Sequence, residues 1–243
     1  LGDVYKRQVH ALKDLNLEVK QGEILGIGGV AGSGQDELLL ALSGETEVQE
    51  NTLIYKNNDI GKLNPQERRE IGILTAPEER LGHAAAPEMN LIENCLITAK
   101  KNNKLTNNGW IDFSKTTKFA NAIIKKFDVR ASSNKSLAKT LSGGNLQKFL
   151  IGRELSQNPD VIVVNQPTWG VDASAAQFIR QALLDLVSNG SAAIIISQDL
   201  DELIEISDKF TALVNGSISV PQITGNLSVS EIGLMLSTDP TNR

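Results

Sequence analysis

An apolar strand candidate, Glu23 to Ile27, runs into a cluster of glycines, Gly26, Gly28, Gly29, Gly32 and Gly34, and then into an apolar helix candidate, Asp36 to Leu42. The helix opens on acids, as helix N-termini prefer. A strand, a glycine loop and a helix in that order commit the chain to an α/β fold. The loop itself admits three readings. Gly26-Ile-Gly28-Gly-Val-Ala31 fits the dinucleotide pattern G-x-G-x-x-A, a weak signal when it stands alone. Gly29-Val-Ala-Gly32-Ser33-Gly34-Gln35-Asp36 fits the frame of the phosphate loop G-x-x-x-x-G-K-[ST], with Gln35 at the lysine position and Asp36 at the hydroxyl position. The third reading is a glycine turn that packs a helix on a sheet and binds nothing. The loop alone does not choose among them.

Downstream, Val161 to Val164 and Ala192 to Ile196 are solid apolar runs suited to a buried parallel sheet, with a helix from Ala175 to Val187 between them. Leu12 to Val19 alternates as an edge strand would, and Asn51 to Tyr55 and Glu70 to Leu74 read as short strands. From Pro77 to about Thr140 the pattern turns helical and more polar, clearest over Met89 to Ala99 and Phe113 to Phe127. Leu146 to Leu155 continues it as a helix that Ser142 can cap. Asp199 to Ile206 starts another helix. Thr211 to Val214 and Ser217 to Val220 pair about Asn215-Gly216, and Ser228 to Leu236 forms a last small helix.

The 243 residues suffice for one large α/β domain. A net charge of -5 argues against a nucleic-acid partner, which wants a basic face. The single cysteine, Cys95, excludes a disulfide framework and reads as a small buried hydrophobe. No apolar run approaches the ~20 residues needed to cross a bilayer. Residues 1–8 carry no strand or helix pattern and are set aside as a non-native leader, so the native chain is expected to begin near Val9.

The segment that decides among the loop readings is Leu141-Ser142-Gly143-Gly144-Asn145-Leu146-Gln147-Lys148. It resembles the signature sequence of ABC (ATP-binding cassette) ATPases, L-S-G-G-x-x-Q-K. Its neighbours fall in family order. Val161 to Gln166 resembles the Walker B strand, Pro167 to Asp172 the D-loop, and Ile194 to Glu202 the switch segment with Gln198 at the histidine position. Ala76-Pro77-Glu78-Glu79-Arg80 sits where the Q-loop belongs. The resemblance covers residues 9 to about 236 and is closest to simple-sugar and nucleoside importer ATPases, which carry two cassettes in tandem.

The resemblance implies a P-loop NTPase core with a mostly parallel sheet, an N-terminal antiparallel β portion and an inserted α-helical subdomain. The core would span 9–76 and 156–226, the helical subdomain about 77–155, and a tail 237–243. It implies that nucleotide meets Gly29, Gly32, Ser33, Gly34, Gln35 and Asp36. Ser142, Gly143, Gly144, Asn145 and Gln147 would face ATP bound by a partner cassette. Glu78, Glu79 and Arg80 would form the Q-loop, and Gly170 and Asp172 the D-loop. ATP and Mg²⁺ would lie at a composite site shared with the other cassette. The partners would be a preceding cassette in the same polypeptide, or a dimer partner, and membrane permease subunits, with no nucleic acid. The setting would be the cytoplasmic face of the cell membrane. Tyr5 is the candidate for stacking on adenine.

The departures weigh as much as the matches. An active cassette holds Mg²⁺ through an aspartate and polarises water with a glutamate. Here Asn165 and Gln166, neutral amides of nearly the same shape, occupy those positions, and Gln166 cannot take a proton. Gln35, Asp36, Asn165, Gln166 and Gln198 each stand where an active group belongs, so no catalytic set is intact and no metal ligand is expected. Two other functions stay open: a nicotinamide-dependent oxidoreductase, resting on Gly26 to Ala31, and a non-transport ABC-type interaction protein. The first needs a ribose-binding acid roughly 20 residues past the loop, at the end of the next strand. Glu45, Glu47 and Glu50 lie near that distance but precede the Asn51 strand. The missing lysine, acid and base predict that this chain alone hydrolyses ATP no faster than background. Turnover by purified chain, abolished by Gly34→Val, would contradict this.

Overall fold

The computed structural model describes residues 12, 13 and 15–240. The strands are β1 (Ile24–Gly28), β2 (Ile54–Tyr55), β3 (Asn58–Asp59), β4 (Ile73–Ala76), β5 (Thr106–Asn107), β6 (Trp110–Ile111), β7 (Val161–Asn165), β8 (Ala192–Ser197), β9 (Lys209–Val214), β10 (Ser217–Ile218) and β11 (Gln222–Ile223). The helices are α1 (Gln35–Ser43), α2 (Pro65–Glu70), α3 (Leu91–Ala99), α4 (Phe113–Lys126), α5 (Gly143–Leu155), α6 (Ala173–Ser188), α7 (Leu200–Ile206) and α8 (Val229–Ser237).

The central sheet runs β10-β9-β1-β8-β7-β4, with β11 also on β9. Strands β9, β1, β8, β7 and β4 are parallel, and β10 and β11 add antiparallel edges. Both sheet faces are covered, which is why these strands read as unbroken apolar runs. Leu25, Ile27, Val163, Ile194 and Ile196 pack with Leu38 and Leu39 of α1 on one face. Ile24, Ile162, Val164, Ala193 and Ile195 join the larger cluster containing α5, α6 and α8 on the other. The mostly parallel α/β architecture expected from the sequence is therefore present.

The dinucleotide reading of the glycine loop fails on this topology. That fold places the next strand beside the first. Here β2 and β3 form a separate hairpin, and β1 is flanked by β8 and β9. Glu45 accepts from His83 Nε2 at 2.9 Å instead of ending a strand beside the loop.

Local boundaries also differ from expectation. The described part of Leu12 to Val19 forms no strand. Its alternation is real, because Leu12, Leu15, Leu17 and Val19 pack against the α1-side core. The backbone is tied down where Lys13 N donates to Gly216 O, 2.8 Å. Side-chain burial thus produced a strand-like pattern without a ladder. The strand expected at Asn51 to Tyr55 shrinks to Ile54–Tyr55, since Asn51 has a φ of 61° and turns the chain. The strand expected at Glu70 to Leu74 begins only at Ile73, because α2, closed by an Asn64–Glu67 capping box, runs to Glu70.

Helices α3, α4 and α5 pack on one another beyond the sheet edge at β4. Gly152 allows the approach of α5 to α4: a Cβ there would lie 2.6 Å from Phe127 Cδ2. Cys95 is buried, and burial pushes its thiol up to about 12, so it serves as packing. Glu154, 1% exposed, knits three helices together. Its carboxylate accepts from Arg69 at 2.6 Å, from Arg153 at 2.8 Å and from Thr98 Oγ1 at 2.8 Å. Arg153 then donates to the Asn94 and Ala84 carbonyls at 3.0 and 2.8 Å.

Burial pushes the Glu154 carboxyl up, and the two guanidiniums outweigh burial, holding it below the ordinary 4.5. A carboxyl with a lowered folded pKa stabilises the fold fully above its unfolded value, and the effect fades as pH falls through the folded value. Glu154→Gln strands two buried cations and is expected to cost about 3–5 kcal/mol near neutral pH. Urea unfolding should show that deficit shrinking on acidification below about pH 4. A deficit independent of pH would contradict the role given to the charge.

Candidate nucleotide site and signature face

The glycine loop leaves the carboxyl end of β1 and enters α1. Gly32 and Gly34 have φ of 82° and 114°, left-handed values that favour glycine. Gln35 is buried and folds back across the loop, its Nε2 donating to Val30 O at 2.7 Å. A Cβ on Gly29 would lie 2.9 Å from that nitrogen and 2.8 Å from Leu213 O, so the close approach requires glycine. Ser33 is buried, and its carbonyl accepts from Gly216 N at 2.8 Å. Asp36 sits exposed in the first turn of α1. Asn165, at the end of β7, donates from Nδ2 to Asp36 Oδ1 at 3.2 Å. Asn165 is 1% exposed, and its Oδ1 has no hydrogen-bond partner.

The next residue, Gln166, takes a φ of 53°, unusual for a side-chain-bearing residue. Its backbone N–H donates to Ile196 O at 2.8 Å, and its buried Oε1 accepts from Gln198 N at 3.3 Å. Gln198 meets Gln166 through its main chain, while its side chain is exposed. Below them Ser197 Oγ donates to Glu202 Oε2 at 3.0 Å. Glu202 is 2% exposed, and burial pushes its carboxyl above the ordinary 4.5. The sequence reading passed over this buried carboxylate. Its one signal was an acid on the inward face of a seven-residue helix whose other buried positions, Leu203 and Ile206, are apolar.

The signature segment opens α5. Ser142 holds the N-cap position but makes no cap to the α5 backbone, contrary to expectation. Its Oγ accepts from Asn145 Nδ2 at 2.8 Å instead, and Asn145 Oδ1 accepts from Arg130 N at 2.7 Å. The first amides of α5 keep no side-chain partner from Ser142, the arrangement an anion site requires. Gln147 is buried. It accepts from Arg80 Nε at 2.9 Å and donates to Pro167 O at 2.8 Å. Arg80 also donates to Trp169 O. One guanidinium and one amide thus join the Q-loop-like segment, the signature helix and the loop after β7. Gly170 turns that loop with φ 60°, and Asp172 caps α6 by accepting from Ala175 N at 2.9 Å. Glu78 and Glu79 are exposed beside Arg80. A cleft of about 780 Å³ has Asp36, Glu78, Arg80, Gly143 and Trp169 on its wall. Tyr5 lies outside the described residues.

Chemically, helices α1 and α5 both start without a side-chain cap, which leaves main-chain amides at each N-terminus as donors for phosphate oxygens. Among the described residues no cluster of three or more His, Cys, Asp or Glu is placed to hold a metal.

A glycine loop between a central parallel strand and a helix, with two more strand ends gathered beside it, defines a P-loop NTPase cassette. The ABC transporter family model matches residues 12–169. The chain is 33% identical over 225 residues to the nucleoside import ATP-binding protein NupA of Lactococcus lactis subsp. cremoris, covering 93% of this chain and 44% of that one. It is 32% identical over 233 residues to the glucose import ATP-binding protein TsgD13 of Haloferax volcanii, covering 95% and 42%. The solved structure of a nucleotide-free ATP-binding cassette from an ABC transporter superposes with a TM-score of 0.71 at 28% identity, over 95% of this chain and 90% of that one. The chain belongs to the ABC transporter ATPase family. It spans less than half the length of the curated relatives it matches.

Arg80→Ala removes donors from the Gln147 amide and the Trp169 carbonyl, and is expected to cost about 1–3 kcal/mol. Arg80→Lys should fall in between, since an ammonium lacks the fork that reaches both acceptors. Hydrogen exchange should quicken in the first turn of α5 in both variants. Unchanged protection there would remove Arg80 from the support of the signature helix.

Proposed function

We propose that this chain is the second cassette of a tandem ATPase that energises import of a simple sugar or nucleoside. In this reading its own nucleotide site does not hydrolyse. Its Ser142, Gly143 and Gly144 complete the site of the preceding cassette, with Asn145 and Gln147 holding them in place. ATP and Mg²⁺ sit between the two cassettes, on the phosphate loop of one and the signature helix of the other. The assembly works at the cytoplasmic face of the membrane through separate permease subunits. The chain divides into a core, 9–76 and 156–226, and a helical subdomain of about 77–155. The nucleoside and glucose named for the relatives support this solute class.

The observation that carries this reading is an asymmetry. The signature end of α5 is open, while the residues at the lysine and water-polarising positions, Gln35 and Gln166, are neutral amides already engaged within the chain. Gln35 is bonded to Val30 O and Gln166 to Gln198 N. Phosphoryl transfer depends on positioned cations and a water-orienting group, and an amide supplies neither charge nor proton acceptance. The open N-terminus of α5 needs only main-chain amides to stabilise a partner's γ-phosphate, so it survives such losses.

The test is made in the assembled two-cassette protein. Ser142 is exposed, so Ser142→Arg leaves the fold intact while placing bulk against the partner's phosphate. ATPase activity should fall almost to nothing, whereas Gln166→Ala should cost far less. Equal losses from the two changes would overturn the division of labour.

A further inference from the structure

The hairpin of β5 and β6 carries apolar side chains that the core does not take up. Its turn, Asn108-Gly109, has φ of 48° and 85°, the left-handed pair of a tight two-residue connection. Thr106 pairs with Ile111 and Asn107 with Trp110 across the ladder. Successive strand residues point to opposite faces, so Trp110 and Ile111 stand on opposite sides of the hairpin. Both are exposed, Trp110 by 81%, and Phe113 at the start of α4 is exposed by 63%. Single exposed apolar residues need no explanation, but three within four positions mark a contact surface. The base of the hairpin is fixed. Leu105 is buried, its N–H donates to Lys100 O at 2.9 Å, and its carbonyl accepts from Asp112 N at 2.9 Å.

Charge decides what meets this surface. From Lys100 to Lys118 five lysines accompany one acid, in a chain whose net charge is -5. That acid, Asp112, caps α4 by accepting from Lys115 N at 2.9 Å. Lys101 is paired with Glu70. Lys100, Lys104, Lys115 and Lys118 are exposed, and no carboxylate among the described residues pairs with them. Lys115 and Lys118 are neighbours on the surface of α4. Lys115 Nζ reaches back to Lys104 O at 3.0 Å, which gathers these cations at the hairpin base.

We propose that the β5–β6 hairpin and the first turn of α4 form a lipid-contact surface that rests on an anionic bilayer. Trp110, Ile111 and Phe113 settle among the headgroups, and the lysines around them meet lipid phosphates and carboxylates. Tryptophan suits that depth because its ring is apolar and its N–H polar. Lysine lays its stem along apolar surface and keeps its ammonium at the headgroups. A protein groove would take the apolar side chains but would leave the surrounding cations without a counterpart. The acidic remainder of the chain is repelled by the same bilayer, so contact is confined to the hairpin and fixes the chain's orientation. One such patch binds weakly and reversibly, so it adds to the permease contact proposed above and does not replace it. It stands independently of the nucleotide and solute readings.

Trp110 and Trp169 are the two tryptophans, so Trp169→Phe leaves Trp110 as the fluorescent reporter. The purified chain is mixed with vesicles of phosphatidylcholine alone, or of phosphatidylcholine and phosphatidylserine in equal parts. Emission and co-sedimentation are followed. Phosphatidylserine vesicles should shift Trp110 emission to the blue and pellet the chain, and added salt should reverse both. Neutral vesicles should do neither. In the chain that keeps Trp169, Trp110→Ser should abolish pelleting, and so should Lys115→Glu combined with Lys118→Glu. All three side chains are exposed, so the fold is kept, which circular dichroism checks. Pelleting that survives Trp110→Ser, or an equal blue shift on neutral vesicles, would overturn the proposal. Unshifted emission on both vesicles would overturn it too. The hairpin would then belong to a protein contact if Trp110→Ser weakened capture by the permease subunits, or to a second copy of this chain if it dissolved a dimer.

Discussion

The site depends on the register of three neighbouring parallel strands. Gly28 at the end of β1 pairs with Ser197 of β8, and Asn165 at the end of β7 pairs with Ile196 of the same strand. Three strand ends therefore stop at one level. The glycine loop, Gln166 and Gln198 emerge there side by side although they come from distant parts of the chain. A one-residue slip of β8 would turn Ile194 and Ile196 to the wrong face, so core packing enforces this level. Gln166 extends the alignment by one further bond, from its N–H to Ile196 O. That bond accompanies its left-handed backbone and directs the following loop toward α5.

The helices beyond β4 reach this edge through a narrow connection. Glu154 fastens α5 to α2 and α3 at one end, and the Arg80–Gln147 pair fastens its other end to the loop after β7. Both joints are buried or half-buried polar groups with fixed directions, not sliding apolar faces. Such joints hold one arrangement tightly and break as units. The Arg80 guanidinium thus ties the segment containing Glu78 to Arg80 both to α5 and to the loop after β7.

Much of this is legible from the sequence, and the exceptions lie where a side chain's partner is not given by local pattern. Strands β7 and β8 were readable because sheets buried on both faces need uninterrupted apolar runs. Helix α5 was readable because the Ser-Gly-Gly start is a local signal. The glycine loop was readable in frame, although only the separate β2–β3 hairpin removes the dinucleotide alternative. The Leu12–Val19 segment misled because alternation reports burial and not hydrogen bonding. Ser142 was expected to cap α5, but Asn145 takes its hydroxyl first. Glu154, Glu202 and the Arg80–Gln147 bond were invisible, since each joins residues set together only by the tertiary fold.

The amides at the loop separate what shapes a backbone from what drives phosphoryl transfer. A lysine is a donor with a charge, and Gln35 keeps the donor: its amide still bridges the loop to Val30 O. A glutamate is an acceptor with a charge, and Gln166 keeps the acceptor: its carbonyl still receives the Gln198 N–H. At both positions an uncharged side chain makes the hydrogen bond to the backbone. Shape here rests on neutral hydrogen bonds between chain segments, which amides satisfy as well as charged groups. Phosphoryl transfer rests on fields directed at phosphate and water, which amides supply poorly. Asp36 and Asn165 differ from this pattern: the carboxylate of the pair stands on the exposed first turn of α1, and the neutral amide stands at the buried strand end.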